Sequence, residues 1–351
     1  MRDVAIVGFA QIPSVSKDPR NEVEMIMPVL HEAVQQSGLP RNEIGFTVSG
    51  SCDFLIGQPF SFVGGLDAVG AWPPIRESHV EMDAAWALYE AWVKIQTGEV
   101  DSALVYGFGK SSPGDLPRVL ALQLDPYVVA PLWPDSISLA ALQARAYLEA
   151  SGRTERDLAE VAVRSRNDAA GNPNAQVTEP ADVEDLLATP PIASPLRRHD
   201  CPPSSDGAAA AVLAAGDLAR RVSDQPVWIR GIDHRIEPHQ LGSRDLTRSV
   251  STAQAARNAG AHQGGTDVAE LHAPFTHQEL ILRDAIGLNG DTPINPSGGA
   301  LTANPMMAAG LIRIGEAARA IWEGRARRAV AHATSGPCLQ QNLVCVLEGA
   351  A

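Results

Sequence analysis

Two stretches far apart in the chain are built alike, and this repeat limits the possible folds more than any other feature. IQTGEVDSALVYG (95–107) lies over IWEGRARRAVAHA (321–333) at an offset of 226 residues. Ile, Gly and Ala coincide. In each copy a helix pattern runs into a glycine, a charged turn and an apolar strand pattern. Repeats of this kind mark duplicated supersecondary units, so two related halves are expected. Strand and helix patterns alternate around them, which favours α/β layers. In the first half VAIVGF reads as a buried strand, and residues 22–37 as a helix closed by Gly38. IGFTVSG and SALVYGFG read as further strands. Between them MDAAWALYEAWVKIQTG is a helix pattern apolar nearly all round, which requires burial on several sides. In the second half AAGLIRIGEAARAIWEG is a small-residue-rich helix, followed by the strand RAVAHATSG.

Between the halves the pattern changes. SSPGDLP, helices near 136–151 and 154–170, GNPNAQ and the proline-rich TPPIASPLRRHDCPPSS show no strand repeat. We read 111–205 as a loop domain inserted into the first half (1–110 and 206–220), with 221–351 as the second half. DGAAAAVLA returns the chain to the core as a strand. The net charge of −13 argues against a nucleic-acid partner, because such proteins present a basic surface. No apolar run reaches the ~18 residues a membrane helix needs. MRDVAIVGFAQIP lacks the basic region and long apolar core of a signal peptide. The four cysteines, Cys52, Cys201, Cys338 and Cys345, form no CxxC pair. A reducing, cytoplasmic setting is expected, with neither zinc nor a disulfide frame.

The stretch INPSGGALTANPMMAAG (294–310) carries the densest set of signals. Asn304 before Pro305 is the pattern of a helix N-cap with proline at the first helical position. NPSGG lacks the GK[ST] ending of a phosphate loop. Its glycines are expected to allow close backbone approach beside a site. In the repeat register Glu81 and Asn304 both fall near the starts of equivalent helices, where unpaired N–H groups and a positive dipole end collect.

DVAIVG, GNPNAQ, CPPSSDGAAAAVL, VAELHAPFTHQEL and NPSGGALTANP follow one another in the order seen in the thiolase superfamily. The chain resembles that superfamily over nearly its whole length, and in particular its sterol carrier protein-x and lipid-transfer branch. The resemblance implies a five-layer αβαβα thiolase fold with duplicated halves and an inserted loop domain, and a dimer. Thiolases carry a nucleophilic cysteine at the start of the buried first-half helix. Counting back from GFGK puts Glu81 at that place, and no cysteine lies within twenty residues of it. A carboxylate cannot form the acyl-thioester of a Claisen cycle. His272, in LHAPF, matches the Asn or His of the second thiolase motif. Asn304 replaces the histidine of the Gly-His-Pro motif. Cys338, in SGPCLQQNLV, lies near the cysteine of the last motif, whose glycines are missing.

His272 and Asn304 are still two hydrogen-bond donors at the oxyanion-hole positions. Such a pair suits a thioester enolate, which also forms when a β-hydroxyacyl-CoA splits by retro-aldol cleavage. The resemblance extends to steroid side-chain aldolases that lack the cysteine and work with a partner carrying an OB-fold and a zinc ribbon. The expected function is therefore C–C cleavage of a β-hydroxyacyl-CoA, with acyl-CoA as substrate and no cofactor in this chain. A heterodimer with a thiolase-like paralogue is the other assembly implied, and a non-catalytic supporting subunit is the other function. Candidate bases are Glu81, ranked first for its place, and His79, Asp83 and His277. Met306 and Met307 are candidates to line an acyl pocket. Arg197 and Arg198, in PLRRHD near the exit of the loop domain, read as a solvated loop, with contact to CoA phosphates as the alternative.

Overall fold

The structure, a computed structural model, describes residues 2–350. The first half contributes β1 (Val4–Gln11), β2 (Phe46–Gly50), β3 (Glu77–Val80), β4 (Ser102–Gly109) and β5 (Gly207–Ala215). The second contributes β6 (Val227–Ile236), β7 (Val268–Leu271), β8 (Arg328–Ser335) and β9 (Gln341–Glu348). They line up in the order β3-β2-β4-β5-β1-β6-β9-β8-β7. β2 is parallel to β3 and β4, and β5 is antiparallel to β4 and β1. In the second half β7 is parallel to β8, and β9 is antiparallel to β8 and β6. Read outward from the β1–β6 seam, the two halves have the same strand directions. The 226-residue offset carries Ser102–Gly109 onto Arg328–Ser335, so the repeat seen in the sequence is a repeat of structure.

The helices are α1 (Glu22–Ser37), α2 (Asp53–Ile56), α3 (Ser61–Val69) and α4 (Ala84–Gln96) in the first half. The inserted region holds α5 (Leu116–Leu122), α6 (Ser136–Ser151), α7 (Glu155–Ala169) and α8 (Val183–Ala188). Then follow α9 (Gly216–Val222), α10 (Val250–Ala259), α11 (Thr276–Ile286) and α12 (Ala309–Trp322). α1 ends where expected. Its capping box at Asn21 and Glu24 closes the start, and Gly38 at φ 68° closes the end.

Strand β4 shows why the layers form. All eight of its residues are buried. Ala103 and Val105 point to one core with Ala85, Leu88 and Ala91 of α4 and Leu311, Ile314 and Ala317 of α12. Leu104, Tyr106 and Phe108 point to another core under Met25, Ile26 and Val29 of α1. A strand covered on both faces is apolar nearly throughout, as in buried sheets, and the hydroxyl of Ser102 at its start donates to the Glu43 carbonyl at 2.8 Å. The second half repeats this. Ala329, Ala331 and Ala333 of β8 face α4 and α12, while Val330 faces a core containing Ala255 of α10 and Leu280 of α11. Helices α4 and α12 are thus the middle layer of an α-β-α-β-α stack. The alanines and glycines on that side set its thickness. At Gly107 a Cβ would sit 2.5 Å from the Ala84 Cβ and 2.7 Å from the Met307 oxygen. Close-packed interiors cannot absorb that overlap.

The halves differ in one connection. Ser335 passes to Gln341 through a short loop, whereas Gly109 and Gly207 are separated by α5–α8. That insertion folds back over the carboxyl ends of the central strands. Among the described residues no helix is long and apolar enough to cross a membrane.

Candidate active site

A cavity of about 340 Å³ lies beneath the insertion. Its roof is Leu116 and Leu120 of α5, Leu124, and Ile137 and Ala140 of α6. Its floor is the segment after β7 (His272, Pro274, Phe275), the loop before α12 (Asn304, Met306, Met307) and the loop Thr334–Leu339 after β8. Asp83 and Ser205 also line it. The walls are mainly apolar, with a few convergent polar groups, which is the usual make-up of a small-molecule site.

His272 and Asn304 meet in this cavity. His272 Nε2 lies 3.0 Å from Asn304 Oδ1, and the Thr334 N–H donates to His272 Nδ1 at 3.4 Å. The N–H at Nδ1 fixes the tautomer, so Nε2 carries the proton and donates to Asn304. Burial pushes the His272 pKa down to about 4, partly opposed by the Asn304 hydrogen bond. The ring is therefore neutral across the physiological range. Asn304 is held from behind, its backbone N–H donating to Ser205 Oγ at 3.0 Å. Its Oδ1 is used by His272, and no protein acceptor takes the Nδ2 hydrogens among the described residues.

A buried polar frame fixes these two residues. Asn295 stands at φ 51°, a left-handed conformation that asparagine tolerates. Its Oδ1 accepts the Leu271 N–H at 2.6 Å and its Nδ2 donates to Glu279 at 3.0 Å. Arg164 of α7 donates to both Glu279 oxygens, at 2.8 and 2.6 Å, which ties the insertion to α11. Ser297 donates to Glu270 at 2.8 Å, and Arg313 of α12 donates to Glu270 at 2.8 Å and to Ser297 at 2.6 Å. The NPSGG loop is therefore an anchor. Gly298 and Gly299 carry φ of 96° and 65°, which lets the chain reverse against Ala169.

The structure corrects several expectations. Glu81 does not line the cavity. Its side chain is half exposed, accepts the Asp53 N–H at the start of α2 at 2.7 Å, and lies 3.3 Å from His79. The helix start is the reason. α4 begins at Ala84 with Asp83 as its N-cap, so the residues before it turn outward. His79 is likewise outside, on β3, with Nδ1 3.0 Å from Ser49 Oγ and its ring stacked on Phe62. His277 is on the first turn of α11 but faces the core. It is fully buried, its Nε2 lies 3.1 Å from Gln143 Oε1, and burial pushes its pKa down to about 3. Gln278 lines the cavity instead. Asn304 is not the N-cap of α12, which starts only at Ala309. Met307, at φ 76°, cannot enter a right-handed helix, so the cap has to come from elsewhere. It comes from Asp83, whose carboxylate accepts the N–H groups of Gly310 at 2.9 Å and Leu311 at 3.2 Å.

Met306 and Met307 line the cavity as expected. So does Cys338, but burial pushes its thiol up to about 12, and Sγ lies 3.5 Å from the Leu139 carbonyl. Arg198 lies exposed at the mouth, while Arg197 is taken up by Glu155. Ser205 and Thr334 hold Asn304 and His272 without having been singled out in the sequence. Ser205 belongs to the CPPSSDG motif, which was the available signal. Thr334 had none.

The comparisons with known proteins agree with this architecture. No protein-family model matches the chain. A solved structure titled "Ltp2-ChsH2(DUF35) aldolase" contains a similar chain, with TM-score 0.82 and 20% identity, covering 99% of this chain and 97% of that one. The acetyl-CoA acetyltransferase of Bacillus anthracis gives TM-score 0.80 at 18% identity, covering 100% and 99%. The fold is that of the thiolases. Among relatives by sequence, an acetyl-CoA acetyltransferase of Methanothermobacter thermautotrophicus is 29% identical over 354 residues, 93% of this chain and 91% of that protein. The 17-hydroxy-3-oxo-4-pregnene-20-carboxyl-CoA lyase of Mycobacterium tuberculosis is 26% identical over 311 residues, 82% and 79%. This thiolase-fold chain therefore resembles both acyl-transferring thiolases and a steroid side-chain lyase.

Proposed function

We propose that this chain is a thiolase-like lyase that cleaves the Cα–Cβ bond of a β-hydroxyacyl-CoA with a steroid side chain, by retro-aldol chemistry and without a covalent acyl-enzyme. The observation that carries the reading is the cavity. It joins His272 and Asn304, and its cysteines are held as thiols. Burial pushes Cys201, like Cys338, up to about 12. A thiol in that state is a poor nucleophile. The free N–H groups of Asn304 Nδ2 are the donors that a cleavage through an enolate needs. The Nδ2 hydrogens of Asn304, whose amide is oriented by the His272 Nε2 bond to Oδ1, would hold the thioester oxygen as charge develops on it. The apolar roof suits a bulky acyl group.

The similarity to the mycobacterial lyase supports this reading, and the likeness in fold to a chain of the "Ltp2-ChsH2(DUF35) aldolase" structure agrees with it. On this reading the chain works as a dimer with a partner of the OB-fold and zinc-ribbon type, and needs no cofactor of its own. The test is product analysis after mixing the chain, alone and with such a partner, with a steroid side-chain β-hydroxyacyl-CoA. Release of a ketone or aldehyde together with the shortened acyl-CoA is expected. Absence of release under either condition, while the activity of a thiolase-like paralogue depends on this chain, would make it a supporting subunit instead.

A further inference from the structure

Among the described residues Asp83 is the one carboxylate that lines the cavity, and it joins the two duplicated helices. Among the described residues the other titratable side chains in the wall are Arg198, Cys201, His272 and Cys338. None of these is a ready base. Arg198 is a cation, both thiols are protonated, and the Nδ1 of His272 already accepts the Thr334 N–H. Asp83 Oδ1 accepts the N–H groups of Ala85 at 2.9 Å and Leu311 at 3.2 Å, and Oδ2 accepts that of Gly310 at 2.9 Å. A carboxylate offers about four acceptor positions, so one on Oδ2 stays open. The approach is built in. A side chain at position 310 would place its Cβ 2.5 Å from Asp83 Oδ1 and 2.6 Å from the Ala333 Cβ. The same carboxylate sits against the first turns of α4 and α12, whose dipole ends favour its charge. Burial works the other way and pushes its pKa up.

We propose that Asp83 is the general base of the retro-aldol step, taking the proton of the substrate β-hydroxyl on Oδ2. This rests on the lyase reading above. The O–H electrons become the new carbonyl π bond and the Cα–Cβ bond breaks. Its electron pair passes through Cα to the thioester oxygen, held by Asn304 Nδ2, with His272 fixing the Asn304 amide. The proton on Asp83 then returns to Cα, giving acyl-CoA and the free ketone or aldehyde, with the carboxylate regenerated. No other reagent is consumed.

The experiment uses the full chain, with the OB-fold and zinc-ribbon partner where cleavage requires it, and the steroid β-hydroxyacyl-CoA as probe. Wild-type cleavage is measured first, and its absence removes the lyase reading and this proposal together. With wild-type cleavage in hand, Asp83→Ser and Asp83→Asn are compared. Both residues can still cap a helix, but neither can act as a base. A fall in kcat of at least ~10²-fold is expected, with KM nearly unchanged; the thermal midpoint falls as well, because neither side chain replaces both oxygens that cap α4 and α12. Formate in the assay is expected to restore part of the lost rate in Asp83→Ser. Cleavage within about threefold of wild type in either variant, below any general-base contribution, would overturn the assignment. Should both variants fail to fold, a crystal structure of the wild type with a non-cleavable β-hydroxyacyl-CoA analogue decides. A hydroxyl oxygen within ~3.2 Å of Asp83 Oδ2 supports the base, and one held elsewhere refutes it.

Discussion

Arg313→Met is the most informative single perturbation of the frame behind the site. Arg313 and Glu270 are almost fully buried, and their ion pair is 2.8 Å long. Removing one partner of such a pair leaves an unpaired charge inside and typically costs about 3–5 kcal/mol. At roughly 2.1 cal/mol/K per residue, a chain of 351 residues has an unfolding entropy near 0.7 kcal/mol/K, so the melting midpoint should fall by about 4–7 °C. The loss should depend on pH. Burial already pushes the Glu270 carboxyl above its ordinary value, and Arg313 is the main group pulling it back. Without Arg313 the folded-state pKa rises further. A raised folded-state pKa means that folding is favoured by protonation. The penalty is then absent below the unfolded value of ~4.5 and grows as pH rises through the folded one. Melts at pH 5 and pH 8 should show a smaller loss at pH 5. The double variant Arg313→Met, Glu270→Met should recover much of the stability, because an apolar pair carries no desolvation cost. It should not recover activity, because Ser297 loses both partners that hold its loop. A single variant melting within about 1 °C of wild type, or a double variant no more stable than the single, would refute the argument.

Asn304→Ala, by loss of the oxyanion donor, and His272→Ala, by loss of the bond that orients it, should each lower kcat for cleavage by about 10²–10³-fold. Glu81→Gln should leave cleavage within about threefold of wild type, since its carboxylate lies outside the cavity and a lost general base costs far more. Between pH 5.5 and 8 the kcat profile should show no ionisation from His272, whose pKa is pushed down to about 4. A limb near 6.5 that disappears in His272→Gln would contradict its burial. Cys338 should resist iodoacetamide at pH 8 in the folded protein and react on unfolding, because its thiol is pushed up to about 12. Mass spectrometry of the alkylated chain reads this directly.

Much of the architecture was legible from local chemistry. Gly38, the capping residues of α1 and the apolar run Ala103–Phe108 of β4 state their roles within a few residues. The repeat at 95–107 and 321–333 announced the two halves, because duplicated units keep their helix, turn and strand periods even when identities fade. His272 and Asn304 were found through their motifs, and the cavity brings both together. Which acidic residue reaches the cavity was not legible. Glu81 and Asp83 are two positions apart, and counting along the chain favoured Glu81. Only the start of α4 at Ala84 decides which of the two turns inward. His277 shows the same limit, since one position on α11 separates a side chain sealed against Gln143 from Gln278 in the cavity wall.

The sequence by itself determined the layers and the duplication, because periodicity is a local property of the chain. Only the tertiary structure decided that Asp83 caps a helix 226 residues away. It also decided that His272 is a neutral donor and that the NPSGG loop is an anchor. Each of those depends on burial and on partners that are distant in sequence, and it is those partners that set which atoms carry protons and which remain free to meet a substrate.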